Sequence, residues 1–242
     1  MFSLRTCLAT FMAVAPLAAL AQESVQPPFS RMAAGPVPKP WHFASLPNKA
    51  HTDFSIVSLE GQNVLRVATA DAYGNLVFPL HLPPTPAIHV QWRWRVDELI
   101  SKADIRQRSG DDSALKLCVS FDFDKSQLSW GERAKLRMGK VSTGEDIPAE
   151  TLCYVWDNQL PAGSSLHNAF THRMRYIVLQ SGTTHLGQWM QERRDLAADY
   201  TRTFGDESPQ GMPDVLGITV SADSDNTHAS GLAYMGDIHL ER

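Results

Sequence analysis

The chain has 242 residues, with 22 Lys and Arg against 26 Asp and Glu, so its formal net charge is -4. Hydrophobic residues make up 43% and charged residues 20%, a composition typical of globular proteins that excludes a disordered chain. The weakly acidic balance argues against nucleic-acid binding and against electrostatic anchoring to a membrane, because both need a surplus of basic residues.

The first 21 residues have the pattern of a cleavable secretory signal peptide. Arg5 provides a basic n-region, Leu8 to Leu20 form an apolar run, and Ala19-Leu20-Ala21 matches an A-x-A cleavage site. The run is too short to span a bilayer comfortably, and no later stretch approaches a transmembrane length. We therefore expect an exported protein, periplasmic or secreted, with no transmembrane segment in the mature chain.

Residues 22–40 contain five prolines and predict an extended lead-in, so we expect the ordered domain to cover residues 41–242. From Trp41 onwards, short segments of alternating polarity are separated by turn residues, which predicts an all-β fold of the jelly-roll β-sandwich type. The clearest predicted strands are Phe54–Leu59, Val64–Thr69, Asn75–Leu80, His89–Asp97, Ala114–Phe123, Thr151–Asn158, Met174–Gln180, Val215–Ala222 and Leu232–Leu240.

One short helix is predicted over Glu192–Phe204, because Leu196, Tyr200 and Phe204 recur at a spacing of four and Gly205 follows as a stop. Gly131–Glu150 is polar and contains three glycines, so we expect a long surface loop there.

Two cysteines, Cys118 and Cys153, follow the signal segment, and each lies in the middle of a predicted strand. An oxidising compartment would allow them to form a cross-strand disulfide. Two buried thiols that pack as small hydrophobic groups remain the alternative.

Several common catalytic motifs are absent from the sequence. It has no G-x-G-x-x-G, no Walker-type loop, no H-E-x-x-H, no C-x-x-C and no G-x-S-x-G. These absences argue against a dinucleotide enzyme, an NTPase, a zincin and an α/β-hydrolase.

Oxygen-rich side chains are concentrated between two predicted strands, at Asp223 to Thr227. Asp223, Asp225 and Asn226 could ligate Ca²⁺, which prefers six to eight oxygen ligands. The same residues also form ordinary turns or contact a ligand. Gly110-Asp111-Asp112-Ser113 is ambiguous in the same way, as a source of loop ligands, a carboxylate pair or a solvated turn.

Polar side chains also alternate along the predicted strands. If these faces form one concave surface, that surface presents Arg93, Arg95, Lys116, Ser120, Asp122, Asp157, Asp237 and His239. Repeated charges on one face must be paired or solvated, and a ligand-binding groove satisfies that requirement. Arginine–carboxylate pairs that knit an exposed face are the alternative.

Within such a groove, Asp122 and Asp157 are candidates for the acid and base of a glycosidase. Among the tryptophans, Trp130 and Trp189 are candidates for stacking on a sugar ring, with packing as the alternative.

An ordered series of short motifs runs along the chain, namely Trp92-Arg93-Trp94-Arg95-Val96-Asp97, Ala103-Asp104, Gly110 to Ala114, Tyr154-Val155-Trp156, Ser181-Gly182, Gly187-Gln188-Trp189, Asp199-Tyr200, Phe204-Gly205, Asp223 to Thr227 and Tyr234-Met235-Gly236-Asp237. This series resembles one bacterial exported family, domain of unknown function 3047. The resemblance covers roughly Trp41 to Leu240 and implies a single β-sandwich domain without a settled activity. Cys118 and Cys153 depart from the family pattern.

Three functions are compatible with the sequence. The first is a protein that binds glycan or polysaccharide in the cell envelope; the second is a carbohydrate-active hydrolase or lyase with paired carboxylates. The third is an envelope interaction protein with no small ligand. The sequence does not predict the oligomeric state.

Overall fold

The computed structural model describes residues 26–85 and 88–241, so the predicted signal peptide lies outside the described residues. In this part of the chain the strands, in order, are β1 (Gly35–Pro36), β2 (His42–Ala44), β3 (Ala50–His51), β4 (Asp53–Leu59), β5 (Gln62–Ala70), β6 (Ala72–Leu82), β7 (His89–Glu98), β8 (Ser113–Phe121), β9 (Glu150–Asp157), β10 (Ser165–His167), β11 (Met174–Ser181), β12 (Met190–Asp195), β13 (Val215–Asp223) and β14 (Ser230–Glu241). Two α-helices accompany them, α1 (Trp130–Thr143) and α2 (Leu196–Phe204).

The strands form two sheets. Sheet A has the order β1-β4-β5-β14-β7-β12, and sheet B has the order β10-β11-β9-β8-β13-β6-β2, with β3 paired to β6. Neighbouring strands are antiparallel except for β9 with β11 and β3 with β6, which are parallel. The prediction of an all-β jelly-roll sandwich is confirmed, with two helices instead of one.

The core lies between the two sheets and is built by the apolar faces that alternation predicts. Trp92 and Trp94 of β7 face Tyr154 and Trp156 of β9, with ring centroids 5.1 Å apart for Trp92–Tyr154 and 5.9 Å for Trp94–Trp156. All four side chains are almost fully buried. Aromatic groups of this size contribute strongly to core packing, so these strand pairs fix how the two sheets face each other.

The proline-rich segment belongs to the sandwich, which corrects the expected lead-in outside the core. Phe29 is only 1% exposed and packs against Trp41, with ring centroids 5.1 Å apart. Pro36 lies in β1, which is an edge strand of sheet A, where proline is tolerated because no further strand needs its missing N–H. The prolines favour an extended segment, but the burial of Phe29 nevertheless makes that segment part of the core.

The predicted loop over Gly131–Glu150 is wrong, because most of it forms α1. The Ser129 side chain accepts a hydrogen bond from the Glu132 backbone, and the Glu132 side chain accepts one from the Ser129 backbone. This is a capping box, and Gly144 ends the helix in the left-handed region with a φ of 75°. The Ser-x-x-Glu pattern at residues 129–132 is the sequence signal for the start of this helix.

The predicted helix over Glu192–Phe204 begins later than expected. Residues up to Asp195 form β12, which pairs with β7, and α2 starts at Leu196. Asp195 caps the helix by accepting a hydrogen bond from the Ala198 backbone at 2.9 Å. Strand β12 therefore ends at Asp195, which is also the N-cap of α2. The spacing of Leu196, Tyr200 and Phe204 correctly predicts α2, but it does not predict β12.

Cys118 and Cys153 lie directly opposite each other on β8 and β9 and form a disulfide. Both side chains point to the outer face of sheet B, away from the core between the sheets, and both are buried. The prediction of a cross-strand disulfide is confirmed.

Candidate functional site

A cleft of about 680 Å³ lies on the outer face of sheet B. Its floor consists of the outward side chains of β6, β13, β8, β9 and β11, which alternation places on the face opposite the core. Its rim is formed by residues 44–49, by the chain that follows α1 and by residues 168–171. We call this the sheet-B cleft.

A buried ion pair lies in the floor of the sheet-B cleft. The Lys116 ammonium is 2.9 Å and 2.8 Å from the two carboxylate oxygens of Asp223, and both residues are 5% exposed. The Ser113 backbone N–H donates a further hydrogen bond of 2.8 Å to the same carboxylate. Both oxygens of Asp223 are therefore engaged by donors of the protein.

Burial raises the pKa of Asp223 to about 6, although Lys116 opposes this by favouring the carboxylate. Burial alone would lower the pKa of Lys116, but Asp223 and other acidic neighbours outweigh it and raise that pKa. Lys116 is thus held as an ammonium, and its charge is neutralised within the floor.

A second polar cluster adjoins this ion pair. The Asn168 amide donates to Asp111 Oδ2 at 2.5 Å and to the Tyr176 hydroxyl at 2.7 Å, and that hydroxyl donates to Asp111 Oδ1 at 3.2 Å. Burial raises the pKa of Asp111 and that of Tyr176. The Lys116 ammonium is 5.9 Å from the centre of the Tyr176 ring, so the two polar clusters are adjacent in the floor.

We expect Asp111 to make stability depend on pH. Its folded pKa lies above the unfolded value of about 3.9, so its stabilising contribution is complete below that value and is lost as pH rises through the folded pKa. Asp111→Asn should therefore gain stability relative to wild type as pH rises from about 4 to 7, by up to about 1.4 kcal/mol per pH unit.

Urea unfolding at several pH values measures this difference. Asp122→Asn, the same substitution at an exposed position, controls for the loss of one formal charge. A constant difference between Asp111→Asn and wild type across the range would contradict the assignment.

The predicted calcium ligands do not converge on one point. Asp223 pairs with Lys116, Asp225 pairs with Lys49 at 2.6 Å, and the Asn226 amide donates to Asp112 at 3.0 Å. The ammonium groups of Lys116 and Lys49 thus lie beside the carboxylates of Asp223 and Asp225, where a bound cation would have to lie. Within residues 26–85 and 88–241, no group of three or more His, Cys, Asp or Glu side chains is placed to hold a metal.

The Asp225 side chain closes one end of the cleft beside the exposed Lys49. Two exposed apolar side chains lie along the other edges: Phe170 is 52% exposed and Leu46 is 41% exposed. The Phe170 ring is supported by Arg108, whose guanidinium carbon lies 5.4 Å from the ring centre. The sheet-B cleft therefore combines a polar floor with an accessible aromatic edge.

Most of the predicted ligand-binding residues lie on the opposite side of the molecule, on the outer face of sheet A. Arg93 covers the ring of Trp189 at 4.4 Å, and the Trp189 N–H donates to Glu60 at 3.1 Å. Arg95 forms an ion pair with Asp97 at 2.6 Å. The outer face of sheet A thus carries arginine–carboxylate pairs, in agreement with the alternative interpretation of the sequence as an exposed face of paired charges.

Other candidates are also placed away from the cleft. Asp237 accepts hydrogen bonds from the Ser30 backbone at 2.9 Å and hydroxyl at 2.6 Å, so it ties the N-terminal segment to β14. His239 lies beside Gln91 of β7, also in sheet A. Trp130 is the first residue of α1 and is 76% exposed.

Asp122 and Asp157 do not share a site. β8 and β9 are antiparallel, with Phe121 opposite Glu150 and Lys116 opposite Val155. The two carboxylates are therefore at opposite ends of the strand pair, roughly 25 Å apart at about 3.4 Å per residue. Glycosidase carboxylates lie only about 5 to 9.5 Å apart. Asp157 instead accepts backbone hydrogen bonds in the turn that follows β9.

Sequence reasoning placed Lys116 and Ser120 on the correct face but overlooked several residues of the cleft. Asn168 and Phe170 lie in a loop without periodicity, so no pattern marks them. Tyr176 falls in a predicted strand, and its alternation with the core residue Ile177 could have identified it as outward-facing. Asp111 was noted in sequence as an ambiguous loop carboxylate.

The fold is an all-β sandwich with a cleft on the outer face of one sheet. The model of the family described as protein of unknown function (DUF3047) matches residues 39–239, and the chain belongs to that family. A comparison with curated proteins gives no match.

Several solved structures share this sandwich shape. They include TmCBM61 in complex with β-1,4-galactotriose (11% identity, covering 84% of this chain and 89% of the other, TM-score 0.36) and a native family 12 xyloglucanase from Bacillus licheniformis (10%, 86% and 99%, TM-score 0.44). The xyloglucanase domain of NopAA from Sinorhizobium fredii, in complex with cellobiose, is 7% identical, covering 83% of this chain and 92% of the other, with a TM-score of 0.44. Similarity at this level transfers no residue role and no activity to this chain.

Proposed function

We propose that this protein is exported to the cell envelope and binds a neutral glycan in the sheet-B cleft. The observation that carries the proposal is the combination of polar groups in the cleft floor with an exposed aromatic edge at Phe170. Sugars present hydroxyl groups around an apolar ring face, so they match hydrogen-bonding groups below and an aromatic ring at the side. Tyr73 and Asn75, joined by a hydrogen bond of 3.1 Å, supply further donors and acceptors in the floor.

The charged residues that line the cleft indicate which class of glycan we expect it to bind. The ionisable residues that line the cleft include five acids and two lysines, namely Asp111, Glu145, Asp146, Asp223, Asp225, Lys49 and Lys116. Both lysines already pair with carboxylates, so the lining has no surplus positive charge for uronates, sulfates or phosphates. A polyanionic glycan is therefore disfavoured, and a neutral one is expected.

The first experiment is a thermal-shift screen with neutral galactan, xyloglucan and cello-oligosaccharides, with polygalacturonate as the polyanionic comparison. A ligand that binds only the folded state raises the melting temperature by mass action. We expect a shift with at least one neutral glycan and none with polygalacturonate. A shift with polygalacturonate alone would contradict the proposal.

Phe170→Ala should weaken glycan binding by about tenfold, because loss of one stacking contact is worth about 1 to 1.5 kcal/mol. Trp189→Ala is the matched control: it also removes an aromatic ring, but on the outer face of sheet A beneath Arg93. Titration calorimetry with the glycan identified by the screen measures both. Equal losses in the two variants, or a loss only in Trp189→Ala, would locate binding outside the sheet-B cleft.

Hydrolysis is less well supported than binding. Asp223 has both oxygens occupied by Lys116, and Asp111 is held by Asn168 and Tyr176, so neither presents a free nucleophile. We expect no release of reducing sugar from a glycan that binds. Turnover that is lost in Asp223→Asn, with the fold retained, would favour the hydrolase instead.

Export is tested directly by the N-terminus of the protein isolated from an expressing bacterium. We expect mass spectrometry of the periplasmic or secreted fraction to show a chain that begins at Gln22, because the A-x-A site ends at Ala21. An uncleaved chain in the cytoplasmic fraction would contradict the proposed localisation.

A further inference from the structure

Helix α1 packs against the sandwich by one side only. Leu136 contacts the small apolar cluster formed by Phe123, Leu128 and Ala149. Gly139 lies so close to Ile147 that an added Cβ would be 2.2 Å from the Ile147 Cδ1 atom. At about 100° per residue, Leu136 and Gly139 mark one side of the helix, which leaves the other side facing solvent.

The solvent-facing side of α1 is apolar. Val141 is 87% exposed, Trp130 is 76% exposed and Met138 is 70% exposed. These are the three most exposed large hydrophobic side chains in the part of the chain that the structure describes. At about 100° per residue they fall within an arc of about 80°. We call Trp130, Met138 and Val141 the α1 apolar face.

Basic side chains flank this face. The helix contains Arg133, Lys135, Arg137 and Lys140 against one acid, Glu132, so its formal charge is 4 - 1 = +3 in a chain of net charge -4. At about 100° per residue, Lys135 lies on one side of the α1 apolar face, and Arg133, Arg137 and Lys140 lie on the other. Lys135, Arg137 and Lys140 are all exposed. Lys140 also lies 3.5 Å from the Asp146 carboxylate, but the helix as a whole is basic although the chain is weakly acidic.

We propose that the α1 apolar face docks onto the surface of an anionic phospholipid bilayer. An interfacial helix buries its apolar side at the boundary between headgroups and acyl chains, while lysine and arginine beside it reach lipid phosphates. A second copy of the same face would bring two sets of basic residues together, which disfavours self-association. Docking would hold the sandwich at a membrane without a membrane-spanning helix; none of the helices in residues 26–85 and 88–241 is long and apolar enough to cross a bilayer.

The test is cosedimentation of the full protein with vesicles of pure phosphatidylglycerol and of pure phosphatidylcholine. We expect binding to phosphatidylglycerol, little binding to phosphatidylcholine, and weaker binding as salt is raised. Met138→Asp/Val141→Asp should lower the partition coefficient by at least about tenfold, because it replaces the centre of the apolar face with charges that anionic lipid repels.

Thr184→Asp/Gln188→Asp adds the same two charges at exposed positions in the loop before β12 and should bind like wild type. Thermal unfolding of both variants checks that the fold is retained, which we expect because all four positions are exposed. The proposal is overturned if the protein does not bind phosphatidylglycerol, if the two double variants bind equally, or if sedimentation velocity shows that the face forms a dimer instead. It does not depend on glycan binding, which the cleft variants test separately.

Discussion

Removal of the Cys118–Cys153 disulfide is expected to lower the free energy of unfolding by about 3 to 4 kcal/mol. The bridge joins residues 35 positions apart, so it closes a long loop and lowers the conformational entropy of the unfolded chain. Breaking the bond restores that entropy and so favours the unfolded state. The loop contains α1, which contacts the sandwich by one side only.

Urea unfolding of the oxidised protein, with and without reductant, measures the effect. The matched variant is Cys118→Ala/Cys153→Ala, which should be less stable than the oxidised protein and should not respond to reductant. Both cysteines are buried, so this variant also loses some packing, and the comparison with reduced wild type separates the two contributions. If reductant leaves the wild-type midpoint unchanged, the disulfide does not contribute to stability in solution.

The two sheet faces were predictable wherever polar and apolar residues alternate strictly. Along β8, Leu115, Leu117 and Val119 enter the core while Lys116 and Cys118 face outward, as a period of two requires. A shift of one residue would bury Lys116 between the sheets, so the sequence pattern determines which face of the sheet each side chain takes.

Which strands share a sheet was not predictable from local pattern. The polar faces of β7 and β8 look alike in sequence, yet β7 pairs with β14 from the end of the chain in sheet A, and β8 pairs with β13 in sheet B. Arg93 and Lys116 therefore face away from each other on opposite sides of the sandwich. The single groove that the sequence suggested becomes two surfaces, and the cleft of about 680 Å³ lies on the sheet-B side.

The cleft floor was only partly predictable because its components come from distant segments. Asp111 precedes β8, Asn168 lies between β10 and β11, and Asp223 ends β13. Their contacts arise when the strands assemble into sheet B, and no spacing in the sequence records them. Lys116 lies in the middle of one predicted strand and Asp223 directly after another, but nothing in the sequence indicates that the two side chains pair.

Lys116→Met is expected to destabilise the protein by about 3 to 5 kcal/mol, because it leaves the carboxylate of Asp223 buried without its counter-charge. Methionine keeps the length of the side chain, so lost packing contributes little. Lys49→Met is the matched control: Lys49 also pairs with an aspartate, but its side chain is 41% exposed, and we expect a loss of no more than about 1 kcal/mol.

The double variant Lys116→Met/Asp223→Leu distinguishes the energy of the ion pair from the effect of substituting either residue alone. It removes both charges together, so it should recover much of the stability that Lys116→Met loses, and the coupling energy from the four proteins should be favourable to the pair. Urea unfolding at neutral pH supplies all four values. Additive losses in the two single variants would mean that Lys116 and Asp223 do not interact in solution. The floor of the sheet-B cleft would then lack the neutralised charge on which the proposed binding of neutral glycans rests.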